Sequence, residues 1–219
     1  GIASYLHSIA EFKRDGAVVS SIVVNCNPFT LGHQYLIEKA ASESDILHVF
    51  VVWEDKSSFP SSVRYELVKK GTAHLSNVVV HKGKNYVISN ATFPSYFLKD
   101  YDEIVETHAH LDLNIFGKYI VPALGINRRY VGEEPYCKVT KAYNTIMKNV
   151  LPQYGVKVIE IPRLENENGA ISASKVREII KQGRLDDVCA LVPKTTYEYL
   201  KSPEAENIIA NIMQKTSRH

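Results

Sequence analysis

Apolar positions along this chain fall into short runs separated by stretches with helical spacing. The runs are "SSIVVN" (20–25), "ILHVFVVW" (46–53), "NVVVHKG" (77–83), "RRYVGEE" (128–134) and "VKVIEIPR" (156–163). They are rich in β-branched residues and bounded by turn-formers, which predicts buried strands. Between them, apolar residues three and four apart predict helices over 31–42, 63–74, about 93–100, 112–124, 139–150, 174–182 and 185–191. Strands that alternate with helices predict an α/β fold, with a parallel sheet and helices on both faces. "DEIVETHAHLDLNIF" carries both periods, so its type stays open. "GIASYLHSIAEFKRDG" predicts an amphipathic helix ending at Gly16, and "PEAENIIANIMQKTSRH" a last helix with a frayed end. The organisation expected is a connecting helix over 1–16, a domain over 17–200, and a C-terminal helix and tail over 201–219.

Composition narrows the picture mainly by exclusion. The 219 residues suffice for one sizeable core. A net charge of +2 gives no single-sign excess that would point to nucleic acid or an anionic membrane. The three cysteines, Cys26, Cys137 and Cys189, form no CxxC pair, so neither a zinc site nor a disulfide framework is indicated. Unpatterned thiols fit a reducing cytoplasm. No charged-then-apolar leader opens the chain, and no apolar run reaches the ~18 residues of a membrane span. A cytoplasmic protein is expected.

Candidate chemistry concentrates at two predicted helix starts. In "NCNPFTLGHQYL" (25–36), Thr30 is placed to cap a helix whose buried stripe is Leu36, Ile37, Ala40 and Ala41. His33 then lies in the first turn, off the centre of that stripe, beside backbone N–H groups that favour an anion. Gly32 leaves room for close approach to the backbone. Pro28 fixes the turn, and Asn25 and Asn27 add neutral hydrogen-bonding groups. A tight connection with a surface histidine is the plainer reading of the same residues. In "GAISASKVREIIKQG" (169–183), Ser172 or Ser174 can cap a helix whose stripe is Val176, Ile179 and Ile180. Arg177 lies off that stripe at the serine end, so hydroxyls, N–H groups and a guanidinium could clamp a phosphate. A capped helix with a solvated arginine is the plainer reading there.

Other residues support less. Lys56 lies just past the second strand, where a point charge could meet a phosphate or simply be solvated. Arg64 opens the next helix as a phosphate or structural contact. Gly132, Glu133 and Glu134 end the fourth strand, where carboxylates could accept from ribose hydroxyls or an amino group, or form a solvated turn. His108 and His110 have a strand-like i, i+2 spacing with no third ligand, so no metal site is expected. Cys26 reads as a packing residue rather than a nucleophile.

"NPFTLGH" and "ISASKVR" resemble the two signatures of the HIGH-type nucleotidyltransferase superfamily, T-x-G-H and I-S-x-S/T-x-x-R, in the expected order. Longer blocks, among them "FVVWEDKSSFPSSVRYELVKKGTAHLSNVVVHKG", "ISNATFPSYFLK" and "LDLNIFGKYIVPALGINRRYVGEEPYCKVTKAYN", make residues 20–183 similar to the citrate lyase ligase family. The resemblance implies a Rossmann-like (HUP) nucleotidyltransferase sheet. It implies that ATP, with Mg²⁺, adenylates acetate, and that the acetyl group passes to a thiol. That thiol belongs to the phosphoribosyl-dephospho-CoA group of the citrate lyase acyl-carrier subunit. The implied catalytic residues are His33, Lys56 and Arg177. The implied nucleotide site is formed by Asn25, Cys26, Asn27, Phe29, Thr30, Gly32 and Arg64, with Gly132, Glu133, Ile171, Ser172 and Ser174. The family's N-terminal acetyltransferase-like domain is not in this sequence. A tRNA cytidine acetate ligase shares the "NPFxxGH" start, but near-neutral charge speaks against a face for RNA. Two further alternatives are a pantetheine-phosphate adenylyltransferase, whose nucleophile is a phosphate and whose fold needs a shorter chain, and a nucleotide-sensing module without catalysis.

Overall fold

The computed structural model describes residues 1–98 and 100–215; the expected frayed end, 216–219, lies outside them. In chain order the first elements are α1 (Ile2–Ala10), β1 (Val19–Val24), α2 (Leu31–Ser42), β2 (Ile46–Val51), α3 (Ser61–Gly71) and β3 (Val78–Lys82). Then come α4 (Glu103–Ile115), α5 (Val121–Leu124), β4 (Arg128–Gly132), α6 (Lys138–Val150) and β5 (Lys157–Ile161). A short hairpin, β6 (Glu165–Asn166) and β7 (Gly169–Ala170), leads to α7 (Ala173–Lys181), α8 (Lys194–Leu200) and α9 (Glu206–Gln214). The chain forms two compact units that interleave in sequence. One is Gly1–Val24, Lys39–Glu54 and Asn77–Pro162; the other is Asn25–Glu38, Asp55–Ser76 and Arg163–His219.

The first unit holds a five-stranded sheet in the order β3-β2-β1-β4-β5. Every pairing in it is parallel. The order reverses between β1 and β4, so the carboxyl end of β1 is the topological switch point where such sheets take ligands. Val24 sits opposite Val51, and Val51 opposite Lys82, so β1, β2 and β3 finish level on one rim. Helices pack around the sheet through one face each. On α6 the buried residues Val139, Tyr143, Met147 and Val150 recur at helical spacing. On α4 they are Val105, Ala109, Asp112 and Leu113.

Two sets of buried polar groups interrupt this core. In the first, Asp112 accepts from the Ile88 N–H (2.7 Å) and the Thr92 hydroxyl (2.7 Å) on one oxygen, and from the Tyr143 hydroxyl (2.6 Å) on the other. Arg129 donates to Tyr143 (3.2 Å) and lies 4.6 Å over the Phe116 ring. In the second, His48 and His81 come from adjacent strands and touch through Nδ1 and Nε2 at 2.8 Å. Phe50 stacks on His81 and Phe12 meets it edge-on. Burial, together with the charge of Arg14, pushes His48 down to about 4; burial and its neighbour His48 push His81 down to about 3. Both rings are therefore neutral at pH 7, one donating and the other accepting.

All five expected strands form; β1 is shifted one residue toward the N-terminus, and the other four are shorter than expected by two residues or more. The open stretch 101–124 is helical almost throughout: α4, a π-helical turn over Phe116–Ile120, then α5. This corrects the strand-like spacing read for His108 and His110. On a helix, residues two apart point away from each other, and the His108 ring bonds the Ser95 hydroxyl at 2.8 Å. The first helix ends at Ala10 rather than Gly16, because residues 11–13 turn with i→i+3 bonds from Phe12 and Lys13. The apolar pattern did not predict α8, where only Thr196 and Leu200 are buried and the period is too sparse to show.

Candidate functional site

The loop that leaves β1 belongs to the second unit and is braced from inside it. Asn27 Oδ1 accepts the Phe59 N–H at 2.9 Å. Arg64 is wholly buried and donates through Nε to the Phe59 carbonyl (2.9 Å) and through Nη1 to the Asn25 carbonyl (3.1 Å). Through these bonds Arg64 braces the loop at its Phe59 and Asn25 carbonyls. The side chains of Cys26 and Phe29 are buried under the loop, so what either offers a ligand is its backbone. Phe29 occupies the space beside Gly71, where an added Cβ would come within 2.1 Å of the ring. Asn25 reaches Ser57 through its amide nitrogen (3.3 Å), while its buried Oδ1 has no partner among the described residues.

Thr30 and His33 close a reciprocal cap on α2. The His33 N–H reaches the Thr30 hydroxyl at 3.4 Å, and the Thr30 N–H donates to His33 Nδ1 at 3.0 Å. This is the capping-box arrangement, with an imidazole in place of the usual Glu or Gln. It also fixes the tautomer. Nδ1 accepts, so a neutral ring carries its proton on Nε2 and presents a donor away from the cap. Burial, then the charges of Arg163 and Arg177, push the imidazole down to about 4. His33 at neutral pH is thus a hydrogen-bond donor without charge, stacked on Phe29 at 5.9 Å.

The second helix start meets the first within the same unit. Ser172 caps α7 by accepting the Lys175 N–H at 3.2 Å. Arg177 sends Nη1 to the Asn27 carbonyl at 2.6 Å and Nη2 to the Ser174 hydroxyl at 3.4 Å. Gly32 faces the Ile171 carbonyl so closely that a Cβ there would lie 2.7 Å from its oxygen. The two signatures therefore converge: Asn27, Thr30, Gly32 and His33 on one side, Ile171, Ser172, Ser174 and Arg177 on the other. Partly buried cationic and neutral donors at two helix starts favour an anionic ligand with several oxygens.

The remaining candidates are placed less tightly. Lys56 lies on the exposed loop between β2 and α3 in the second unit. Gly132 ends β4 in the first unit, its carbonyl accepting from Asn144 at 3.3 Å, and the Glu133 N–H donates to Ile161. Glu134 is occupied as a cap, accepting the Cys137 N–H at 2.7 Å. Sequence reasoning passed over Arg163, whose charge ranks ahead of Arg177 in its effect on His33. Its position just past β5 was the available signal, since ligands gather at strand carboxyl ends. Among the described residues no group of three or more His, Cys, Asp or Glu could hold a metal ion.

The family profile described as "Citrate lyase ligase C-terminal domain" matches residues 19–200. A citrate (pro-3S)-lyase ligase of Escherichia coli (strain K12) is 43% identical over 203 residues, covering 90% of this chain and 58% of that protein. Its namesake from Haemophilus influenzae is 44% identical over 196 residues, covering 87% and 58%. The chain thus spans under three fifths of the length of these relatives. Among solved structures, Thermotoga maritima TmcAL bound with alpha-thio ATP aligns with a TM-score of 0.60 at 13% identity, covering 87% of this chain and 57% of that one. A bifunctional NMN adenylyltransferase/ADP ribose pyrophosphatase of Francisella tularensis, complexed with AMP and a manganese ion, aligns at 0.56 and 14%, covering 91% and 53%. These two likenesses establish the nucleotidyltransferase-type, Rossmann-like fold.

Proposed function

The chain belongs to the citrate lyase ligase C-terminal domain family, and from that premise we propose that it is the adenylating part of an ATP-dependent acid–thiol ligase. Acetate attacks the α-phosphorus of ATP, pyrophosphate leaves, and acetyl-AMP forms. The phosphoribosyl-dephospho-CoA thiol of the citrate lyase acyl-carrier subunit then takes the acetyl group, and AMP leaves.

The observation that carries this reading is the 2.6 Å bond from Arg177 to the Asn27 carbonyl, which ties the two signature segments into one site. A carboxylate is ionised at neutral pH, so the attacking acid needs no general base. The barrier falls through orientation and through donors that meet the charge gathering on phosphate oxygens. His33 Nε2–H, the Arg177 guanidinium and Lys56 supply such donors, and the Gly32 backbone gives the phosphates room. A neutral His33 donates Nε2–H to the oxyanion as an uncharged hydrogen-bond donor. Mg²⁺ arriving with the nucleotide would neutralise phosphate charge alongside the donors of His33, Lys56 and Arg177. No helix is long and apolar enough to cross a membrane among the described residues, and a cytoplasmic setting is part of the proposal.

The test is acetate-dependent exchange of labelled pyrophosphate into ATP. His33→Ala removes one donor, typically worth roughly 2.7–4 kcal/mol of barrier. Exchange is expected to fall about a hundredfold or more, with the circular dichroism spectrum unchanged. A folded variant that exchanges at the parent rate overturns the role of His33. A parent chain that exchanges with no acid overturns the reading.

A further inference from the structure

The first unit carries a cluster that adenylation does not use. Trp53 lies two positions past β2 and is partly exposed. The Lys82 ammonium is 4.9 Å from the centre of its indole, and the Lys84 ammonium 5.1 Å. Lys82 ends β3 and Lys84 lies in the next turn, both exposed. Each cation gains from the indole face, but gathering both on one ring sets like charges against each other. An anion with several oxygens relieves that repulsion.

The backbone beneath the lysines is fastened from several sides. The Lys82 carbonyl accepts from the Tyr5 hydroxyl at 2.8 Å, and the Gly83 N–H donates to Val51 at 2.8 Å. Farther on, the Ile88 N–H is tied to buried Asp112. Asn90 donates through its backbone N–H (2.8 Å) and its amide nitrogen (3.2 Å) to the Glu54 carboxylate. These bonds hold two non-glycine residues in the left-handed region, Lys84 at φ 51° and the β-branched Ile88 at φ 45°. Such conformations are costly for side chains with a Cβ and persist where the surroundings over-determine them, commonly at ligand clamps. The strained turn follows the carboxyl rim on which β1, β2 and β3 end level, the rim where parallel sheets bind ligands.

The geometry points to Trp53, Lys82 and Lys84 as a binding platform for the phosphate groups of a nucleotide-linked arm. The two ammonium groups receive a pyrophosphate or phosphodiester between them, and the indole packs on the arm's less polar part. Identifying that arm as the thiol acceptor's rests on the function proposed above; the platform itself does not.

Trp53 is the chain's single tryptophan, so intrinsic fluorescence reports this cluster directly. The full chain is titrated with dephospho-CoA in the presence of saturating α,β-methylene-ATP, and separately with pantetheine, which lacks the phosphates. Dephospho-CoA is expected to quench Trp53 and pantetheine not. The double variant Lys82→Ala/Lys84→Ala should bind about tenfold more weakly or worse, as expected for lost charge-assisted contacts. Its acetate-dependent pyrophosphate exchange should stay within about twofold of the parent, since neither lysine is assigned to adenylation; Lys84→Arg in the parent should keep the binding. The proposal is overturned by absence of quenching, by equal quenching in the double variant, or by quenching that the ATP analogue abolishes. Lysine-dependent quenching in a chain that shows no exchange would keep the platform and discard the ligase reading. Normal exchange without quenching would do the reverse.

Discussion

Lowering the pH from 7 to 5 should cost this fold far more than its carboxylates alone explain, because His48 and His81 are buried as a neutral pair. His48 is 0% exposed and His81 4%. In the unfolded chain each titrates near 6.5; in the fold they are pushed down to about 4 and about 3. The native state then binds fewer protons than the unfolded state, so stability rises with pH in this window. It is fully present above 6.5, falls as pH drops through 6.5, and levels off once the folded groups protonate, His48 near 4 and His81 near 3. Between pH 7 and 5 an imidazole that stays neutral in the fold forfeits about 1.8 kcal/mol, and the pair roughly 3–4 kcal/mol. That is a large share of the 5–15 kcal/mol typical of a domain. The figure hardly depends on how low the folded values lie, because at pH 5 the unfolded protonation dominates. Urea unfolding at both pH values measures the loss. The comparison is the double variant His48→Asn/His81→Gln, whose amide groups can replace the Nδ1 and Nε2 contact without titrating. Its stability should fall by roughly 3–4 kcal/mol less over the same interval. Equal losses in parent and double variant would refute the reasoning.

Three substitutions probe the second unit. Gly32→Ala puts a Cβ 2.7 Å from the Ile171 carbonyl, nearer than real Cβ atoms come to backbone, so the two signature segments must part. The expected cost is about 1–3 kcal/mol in unfolding free energy, with pyrophosphate exchange lost alongside. Ser172→Ala removes the α7 cap and should destabilise by about 0.5–2 kcal/mol, read as a lower melting temperature. Arg177→Lys keeps the charge but loses the planar fork that reaches both Asn27 and Ser174. Exchange should fall at least about tenfold at unchanged stability, and a parent-like rate would remove the fork from the site.

The sheet was legible because its strands are buried runs of β-branched residues whose pattern survives without neighbours. Both signature segments were legible for a similar reason: a cap residue, a glycine or second hydroxyl, and a polar residue off the apolar stripe sit within about a turn of each other. What could not be read locally was set by distant partners. Arg64 could be assigned a place but not a direction, because its acceptors are the carbonyls of Phe59 and Asn25. Arg163 carries no local pattern beyond following a strand. The 101–124 stretch misled because a helix that buries Asp112 and exposes Ile104 and Leu111 blurs its own apolar period. The His48–His81 pair was invisible, since only strand register sets those rings together.

Arg177 and Asn27 stand 150 positions apart in the chain. During synthesis all five strands of the large sheet leave the ribosome before the serine-capped helix α7. Asn27 and Arg177 therefore cannot meet until α7 has been translated, and an early stop after β5 leaves the first signature segment without its partner.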